Sequence, residues 1–216
     1  MSSDSVFRAS AVERRAVADL LDTLDEAQLA TASLCAGWDV RTVGAHLAGA
    51  VRPSVPALAS ALLRSGGNLH RANQLSAREA ARRPVAEIAR TLRDNAGSRF
   101  SPPVVGARGP LTDVLVHAGD IRVPLGMPHE PAVGHVRMSL DFLTGGRPVG
   151  FVPRGTLRGL RLVATDLAWS SGDGATVSGR GIDLAMAVCG RSAVLDRLGG
   201  AGLPVLRHRV GAAAGG

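Results

Sequence analysis

"GWDVRTVGAHLAGAV", residues Gly37–Val51, is the stretch that decides the fold. Asp39 comes just before a run of apolar residues, and it is a typical helix N-cap because its carboxylate can accept a hydrogen bond from a first-turn backbone N–H. Val43 and Leu47 then recur at helical spacing and predict the buried face of an amphipathic helix. His46 stands beside that face, so we expect its imidazole to point towards the interior of a helical domain or its rim.

A second stretch, "PLTDVLVHAGDIRVPLG" over Pro110–Gly126, carries polar residues in an otherwise apolar helix. Asp113, His117 and Asp120 recur at helical spacing, which places all three near one stripe of the helix surface. Burying such groups without partners costs free energy. The stripe therefore requires a hydrogen bond, an ion pair or a metal ion as its partner.

These two helices together offer a candidate metal site. If they face each other, His46, Asp113 and His117 supply two imidazoles and one carboxylate, a donor set that suits a divalent ion such as zinc and leaves a coordination position open. Asp120 would then orient the His117 ring from behind. The alternative is that both histidines are satisfied core residues and that the spacing of Asp113 and His117 arises by chance.

The remaining pattern predicts a helical region followed by a small mixed module. The first two-thirds of the chain read as helices, with a break at Pro84. The Gly- and Pro-rich segment "TGGRPVGFVPRGT", residues 144–156, is the candidate boundary. We therefore expect a helical domain over residues 1–147 and a small α+β domain over residues 156–210.

Within the C-terminal module, alternation of apolar residues predicts a strand with one buried face, formed by Leu160, Leu162 and Ala164. The segment "SGDGAT" is a predicted turn, and a second short strand and one or two helices follow it. The segment "LPVLRHRV", residues 203–210, is predicted to close the module as a strand with Val205 and Leu206 buried.

Composition narrows the function classes. The 216 residues carry a formal charge of +7, yet the arginines are dispersed and aromatic residues make up only 3% of the chain, which disfavours nucleic-acid binding and leaves small anions as the better partners. Cys35 and Cys189 lie far apart, so we expect them to pack as small apolar residues rather than to form a disulfide or a thiolate zinc site. The absence of an apolar leader or of a long apolar segment predicts a soluble, cytoplasmic protein. The high Ala, Gly and Arg content, without Lys, is typical of an actinobacterial genome.

The segment "LDEAQLATASLCAGWDVRTVGAHLAGA", Leu24–Ala50, resembles the start of the mycothiol-dependent maleylpyruvate isomerase family, which is part of the DinB-like superfamily of metal-binding four-helix bundles. The residues that carry this resemblance are Gly37, Trp38, Val40, Arg41, His46 and Leu47. "LVHAGDIRVPLG", Leu115–Gly126, resembles the second signature of the family, and the C-terminal module resembles the accessory domain of many members.

The resemblance implies a mainly α fold, in which a DinB-like four-helix bundle precedes a small α+β domain. It implies a divalent metal, usually zinc, held by His46, Asp113 and His117, which would also be the catalytic residues. The implied cofactor is mycothiol, whose metal-activated thiolate adds to an electrophilic small molecule in a cis–trans isomerisation or an S-transfer. The position of Asp113 is often Glu in the family, and Asp is one methylene shorter.

Two other functions stay open at this point. One is a metal-binding regulator without turnover, which a closed site with four protein ligands would favour. The other is a basic module that binds nucleic acid, although the dispersed arginines argue against it.

Overall fold

The computed structural model describes residues 2–53, 60, 63–102, 104–145 and 148–214, without the side chains of residues 69, 70, 213 and 214. The helices, in chain order, are α1 (Ser3–Thr23), α2 (Glu26–Leu29), α3 (Val40–Val51), α4 (Leu69–Ala80), α5 (Val85–Asp94), α6 (Arg108–Arg122), α7 (Val133–Thr144), α8 (Gly181–Val188) and α9 (Leu203–Ala214). The strands are β1 (Leu160–Ala164), β2 (Ser170–Ser171) and β3 (Ala175–Gly179). The expected class, mainly helical with a small α+β part towards the C-terminus, is confirmed.

The chain forms two compact units, and α6 contributes to both. The first unit comprises residues 1–100 and 117–129, and the second comprises residues 101–116 and 130–216. The predicted domains, residues 1–147 and 156–210, stay a prediction, and residues 146 and 147 lie outside the described residues.

In the first unit, α1 packs against α5 and α3, and α3 packs against α4. Val43 and Leu47, the predicted buried face of α3, are 0% and 2% exposed. A Cβ on Gly44 would lie 2.8 Å from a side-chain carbon of Leu21, so glycine at this position permits the close approach of α1 and α3.

The first turn of α3 is fixed by its cap. Asp39 is the N-cap and its Oδ1 accepts a hydrogen bond of 2.7 Å from the backbone N–H of Thr42, as the sequence predicts. The predicted break at Pro84 is also confirmed, because α4 ends at Ala80 and Pro84 is the N-cap of α5. This cap sets where α3 begins, and with it the position of His46 along the helix.

The second unit contains a three-stranded sheet in the order β2-β1-β3. β1 pairs antiparallel with β2 and parallel with β3, with Leu162 opposite both Ser171 and Val177. The predicted buried face of β1 is confirmed, since Leu160, Leu162 and Ala164 are buried. Every residue of α8 is buried, and α8 packs against α7, β1 and β3.

The prediction for the C-terminal segment is wrong. Residues 203–210 belong to helix α9 rather than to a strand. Leu206 is buried as expected, but Val205 is 39% exposed, and the second buried residue is Val210, one helical turn after Leu206. Pro204 is tolerated because it lies in the first turn, where its missing N–H has no intrahelical partner.

None of the helices in the described part of the chain has the length and apolar content needed to cross a membrane.

Candidate metal centre

Helix α3 supplies the first candidate ligand. His46 is half-buried, while its neighbours Ala45 and Leu47 are buried. Its ring therefore stands at the edge of the apolar face of α3, as the sequence predicts.

Helix α6 supplies the polar stripe. Asp113 and His117 are half-buried, and Asp120 is fully buried at 0% exposure. The helical spacing puts Asp113 one turn before His117 and Asp120 about one turn after it. The predicted stripe is thus present, and it becomes more buried towards the end of the helix.

The structure places the two predicted histidine ligands side by side, and Asp113 lies one helical turn before His117 on α6. The rings of His46 and His117 meet edge to face, with centroids 4.9 Å apart and an angle of 73° between their planes. Two imidazoles and one carboxylate are a donor set that suits a divalent ion.

Trp38 covers both imidazoles. The centroid of its indole lies 5.2 Å from that of His46 and 6.3 Å from that of His117, and the residue is only 8% exposed. An apolar wall of this kind limits the access of water to a metal site and lowers the local dielectric constant. Within the described residues, Trp38 Nε1 is a buried donor without a hydrogen-bond partner.

A tight loop before α3 holds Trp38 in place. The hydroxyl of Ser33 donates to the carbonyl of Trp38 at 3.0 Å and accepts from the backbone N–H of Cys35 at 3.1 Å. Gly37 has φ of 74°, a left-handed conformation that glycine adopts without strain. The loop is joined to α6 where the N–H of Leu34 donates to the carbonyl of Asp120 at 3.2 Å.

Sequence reasoning missed one residue of the site. Cys35 was expected to pack as a small apolar residue, but its Sγ lies 3.0 Å from Asp120 Oδ2 and 3.5 Å from His117 Nδ1. The same carboxylate oxygen lies 2.8 Å from His117 Nδ1. The two partners of Cys35 are more than 80 positions away in the chain, so sequence spacing contained no signal for these contacts.

Cys35, His117 and Asp120 form a second group of potential metal ligands that shares His117 with the first. The distances within this group are those of hydrogen bonds. Two light-atom ligands on one tetrahedral zinc ion stand about 3.4 Å apart, given bonds of about 2.0–2.2 Å. The 2.8 Å between His117 Nδ1 and Asp120 Oδ2 is shorter than that. The second group is therefore a hydrogen-bonded support for His117, and the first is the better candidate for the ion.

Comparisons with known proteins give a family match over part of the chain and a shared fold. Residues 10–99 match the family described as the mycothiol maleylpyruvate isomerase N-terminal domain. A crystal structure of the mycothiol-dependent maleylpyruvate isomerase is similar to this chain with a TM-score of 0.61 and 14% identity, covering 93% of each chain. A histidine-to-alanine mutant of that isomerase gives a TM-score of 0.59 at the same identity and coverage. At this identity the structures show a shared fold, and no curated protein sequence matches the chain.

Proposed function

We propose that the chain is a member of the mycothiol-dependent maleylpyruvate isomerase family, and that it is a metal- and mycothiol-dependent enzyme acting on an electrophilic small molecule. His46, Asp113 and His117 are its metal ligands in this proposal. Isomerisation of a conjugated double bond is the first candidate reaction, and S-transfer is the second.

The observation that carries the proposal is the approach of the His46 and His117 rings, whose centroids lie 4.9 Å apart, with Asp113 one helical turn before His117 on the same helix. Three protein ligands are the number found in catalytic zinc sites, where the remaining position is left for water or substrate. A site that serves only structure or sensing is instead closed by four protein ligands. The donor set of this chain therefore favours catalysis over a purely structural ion.

A divalent ion at this site, when bound, lowers the pKa of a coordinated thiol and so supplies a nucleophile at neutral pH. The surrounding residues have separate tasks. His117 Nδ1 lies 2.8 Å from Asp120 Oδ2, and a proton donated from Nδ1 to this carboxylate would leave Nε2 to hold the ion. Trp38 covers both imidazoles and limits the access of water to them.

The two candidate reactions make different demands on the thiol. An isomerase is expected to return the thiol unchanged after each turnover, whereas an S-transferase leaves it attached to the product. Mass spectrometry of the products formed from maleylpyruvate and mycothiol detects a thiol adduct, and ¹H NMR distinguishes geometric isomers, which have the same mass. Release of free thiol together with a geometric isomer of the substrate supports isomerisation.

The proposal is tested by the metal content and thiol-dependent turnover of ligand variants. We expect His46→Ala and His117→Ala to lose bound zinc and activity while the helical content measured by circular dichroism is unchanged, because each removes a ligand from a half-buried position. Asp113→Glu should retain the metal, since a longer carboxylate still reaches it. His208→Ala is the matched control, because His208 is exposed on α9.

Full activity in His117→Ala, or zinc content unchanged in both histidine variants, would overturn the metal site. Bound zinc without any thiol-dependent turnover would instead support a metal-binding regulator.

A further inference from the structure

Cys35 occupies a position in the site that the proposed function does not explain. It lies in the loop between α2 and α3, is half-buried, and contacts Asp120 and His117 through its Sγ. No step of the proposed chemistry needs this thiol, since the attacking sulfur comes from the small-molecule cofactor.

The geometry identifies Cys35 as a donor. An ionised carboxylate accepts hydrogen bonds and donates none, so Asp120 Oδ2 accepts from both Cys35 Sγ at 3.0 Å and His117 Nδ1 at 2.8 Å. The carboxylate itself is 0% exposed, so these two contacts lie in a region shielded from water. A hydrogen bond in such a region contributes more than the same bond in water.

We propose that Cys35 is a positioning residue that acts through Asp120 to fix the His117 imidazole with its proton on Nδ1. One consequence depends on the proposed function: with the proton on Nδ1, Nε2 is free to bind the metal. The backbone supports the same arrangement, because Leu34 N–H donates to the carbonyl of Asp120 at 3.2 Å and so joins the loop to α6 beside the thiol. Cys35 thus completes a chain of contacts from the loop through the carboxylate to the ligand.

The first test measures zinc affinity by competition with a chromophoric chelator, in the full chain with a reductant and with no thiol cofactor. Replacing a residue that orients a ligand typically weakens metal binding about 10–100-fold, and we expect this for Asp120→Ala. We expect Cys35→Ala to weaken it about 2–10-fold, which corresponds to the loss of one hydrogen bond while Asp120 remains. Cys35→Ser keeps a donor and should bind zinc within about twofold of the wild type. Cys189→Ala, the other cysteine, is the matched control and should show no change.

A double mutant separates positioning from a general structural effect. Because Cys35 acts through Asp120, the combined Cys35→Ala and Asp120→Ala variant should bind zinc no more weakly than Asp120→Ala alone. Additive losses, or wild-type affinity in Cys35→Ala, would overturn the proposal. If Cys35→Ala does not fold, Cys35→Val takes its place, since it fills the same space without a donor.

Cobalt substitution tests whether Cys35 is instead a ligand. The Co²⁺ form should lack the near-ultraviolet charge-transfer band of a thiolate ligand, and its spectrum should be the same in Cys35→Ala. A band that disappears in that variant would assign Cys35 to the coordination sphere and contradict the positioning role.

The tautomer of His117 can be read without any metal. In ¹⁵N–¹H spectra of the histidine rings of the metal-free protein, we expect a single Nδ1–H tautomer for His117 in the wild type and in Cys35→Ser. Cys35→Ala should populate the other tautomer, and an unchanged signal would overturn the proposal. If the wild type binds no zinc, the proposed function fails, but this measurement still decides the role of Cys35.

Discussion

The two units of the chain each contain one buried tryptophan and one buried aspartate, but the hydrogen-bond partners of these residues differ between the units. In the second unit Trp169 Nε1 donates to Asp141 at 2.9 Å, and Asp183 pairs with Arg197 at 3.3 Å. In the first unit, within the described residues, Trp38 Nε1 has no hydrogen-bond partner. In the same unit, Asp120 Oδ2 lies 3.0 Å from Cys35 Sγ and 2.8 Å from His117 Nδ1.

The difference shows that burial alone does not mark a functional residue. Asp120 and Asp183 are 0% and 3% exposed, so their burial is nearly equal. Asp183 meets a guanidinium that stabilises its charge within its own unit, whereas Asp120 contacts the ring of a candidate metal ligand. The chemical type of the partner therefore separates a site residue from a structural one.

The largest expected contrast lies between the two buried carboxylates. Asp120→Ala should weaken zinc binding about 10–100-fold, because it removes the group that orients His117. Asp183→Ala should leave zinc affinity unchanged. It should lower the free energy of unfolding by about 1–3 kcal/mol, because the ion pair with Arg197 is lost; the loss is limited because Arg197 is half exposed and can be hydrated instead. Zinc titration and urea unfolding of both variants measure these two quantities. Equal weakening of zinc binding by Asp183→Ala and Asp120→Ala would contradict the distinction between the two carboxylates.

Much of the framework around the site could be predicted from local sequence. The Asp39 cap, the break at Pro84 and the alternation in β1 each depend on residues within a few positions of one another. The prediction that His46 and His117 meet has a different basis. It follows from the helical spacing of the ligands together with the resemblance to a known family.

The two features that the sequence analysis missed have different causes. The segment 203–210 reads as a strand when Val205 and Leu206 are both taken as buried, but Leu206 and Val210 face the core with a helical period. Cys35 reads as a small apolar residue because its partners come from α6, far along the chain. The contacts of Cys35 could not be found without the tertiary structure, whereas the helical spacing of Leu206 and Val210 is present in the sequence.

The two tryptophans give a smaller contrast. Trp169→Phe removes the donor to Asp141 and should lower the free energy of unfolding by about 1 kcal/mol more than Trp38→Phe does, since Trp38 Nε1 loses no bond. Thermal unfolding of both variants in the metal-free protein measures this difference. Equal losses would mean that Trp38 Nε1 has an acceptor in the folded protein.

The smallest expected effect on stability concerns Asp4, an exposed carboxylate. The hydrogen bond and charge of Arg99 hold the pKa of Asp4 below its usual value. A depressed folded pKa stabilises the protein above the ordinary value of about 4, and that contribution disappears as the pH falls through the folded pKa. The melting temperature of the wild type should therefore fall slightly more than that of Asp4→Asn between pH 5 and 2, by the order of a degree. Parallel curves would show that this ion pair adds nothing to stability.

X-ray absorption at the zinc edge tests the central claim most directly, because it reports the ligands of the ion in the protein loaded with zinc and without thiol. Ligation by His46, Asp113 and His117 predicts two imidazoles and further oxygen at about 2.0–2.2 Å, with no sulfur. When His117→Ala is loaded with zinc in the same way, its spectrum should no longer show scattering from two imidazoles. A sulfur neighbour at about 2.3 Å in the wild type, or an unchanged spectrum in His117→Ala, would contradict the account.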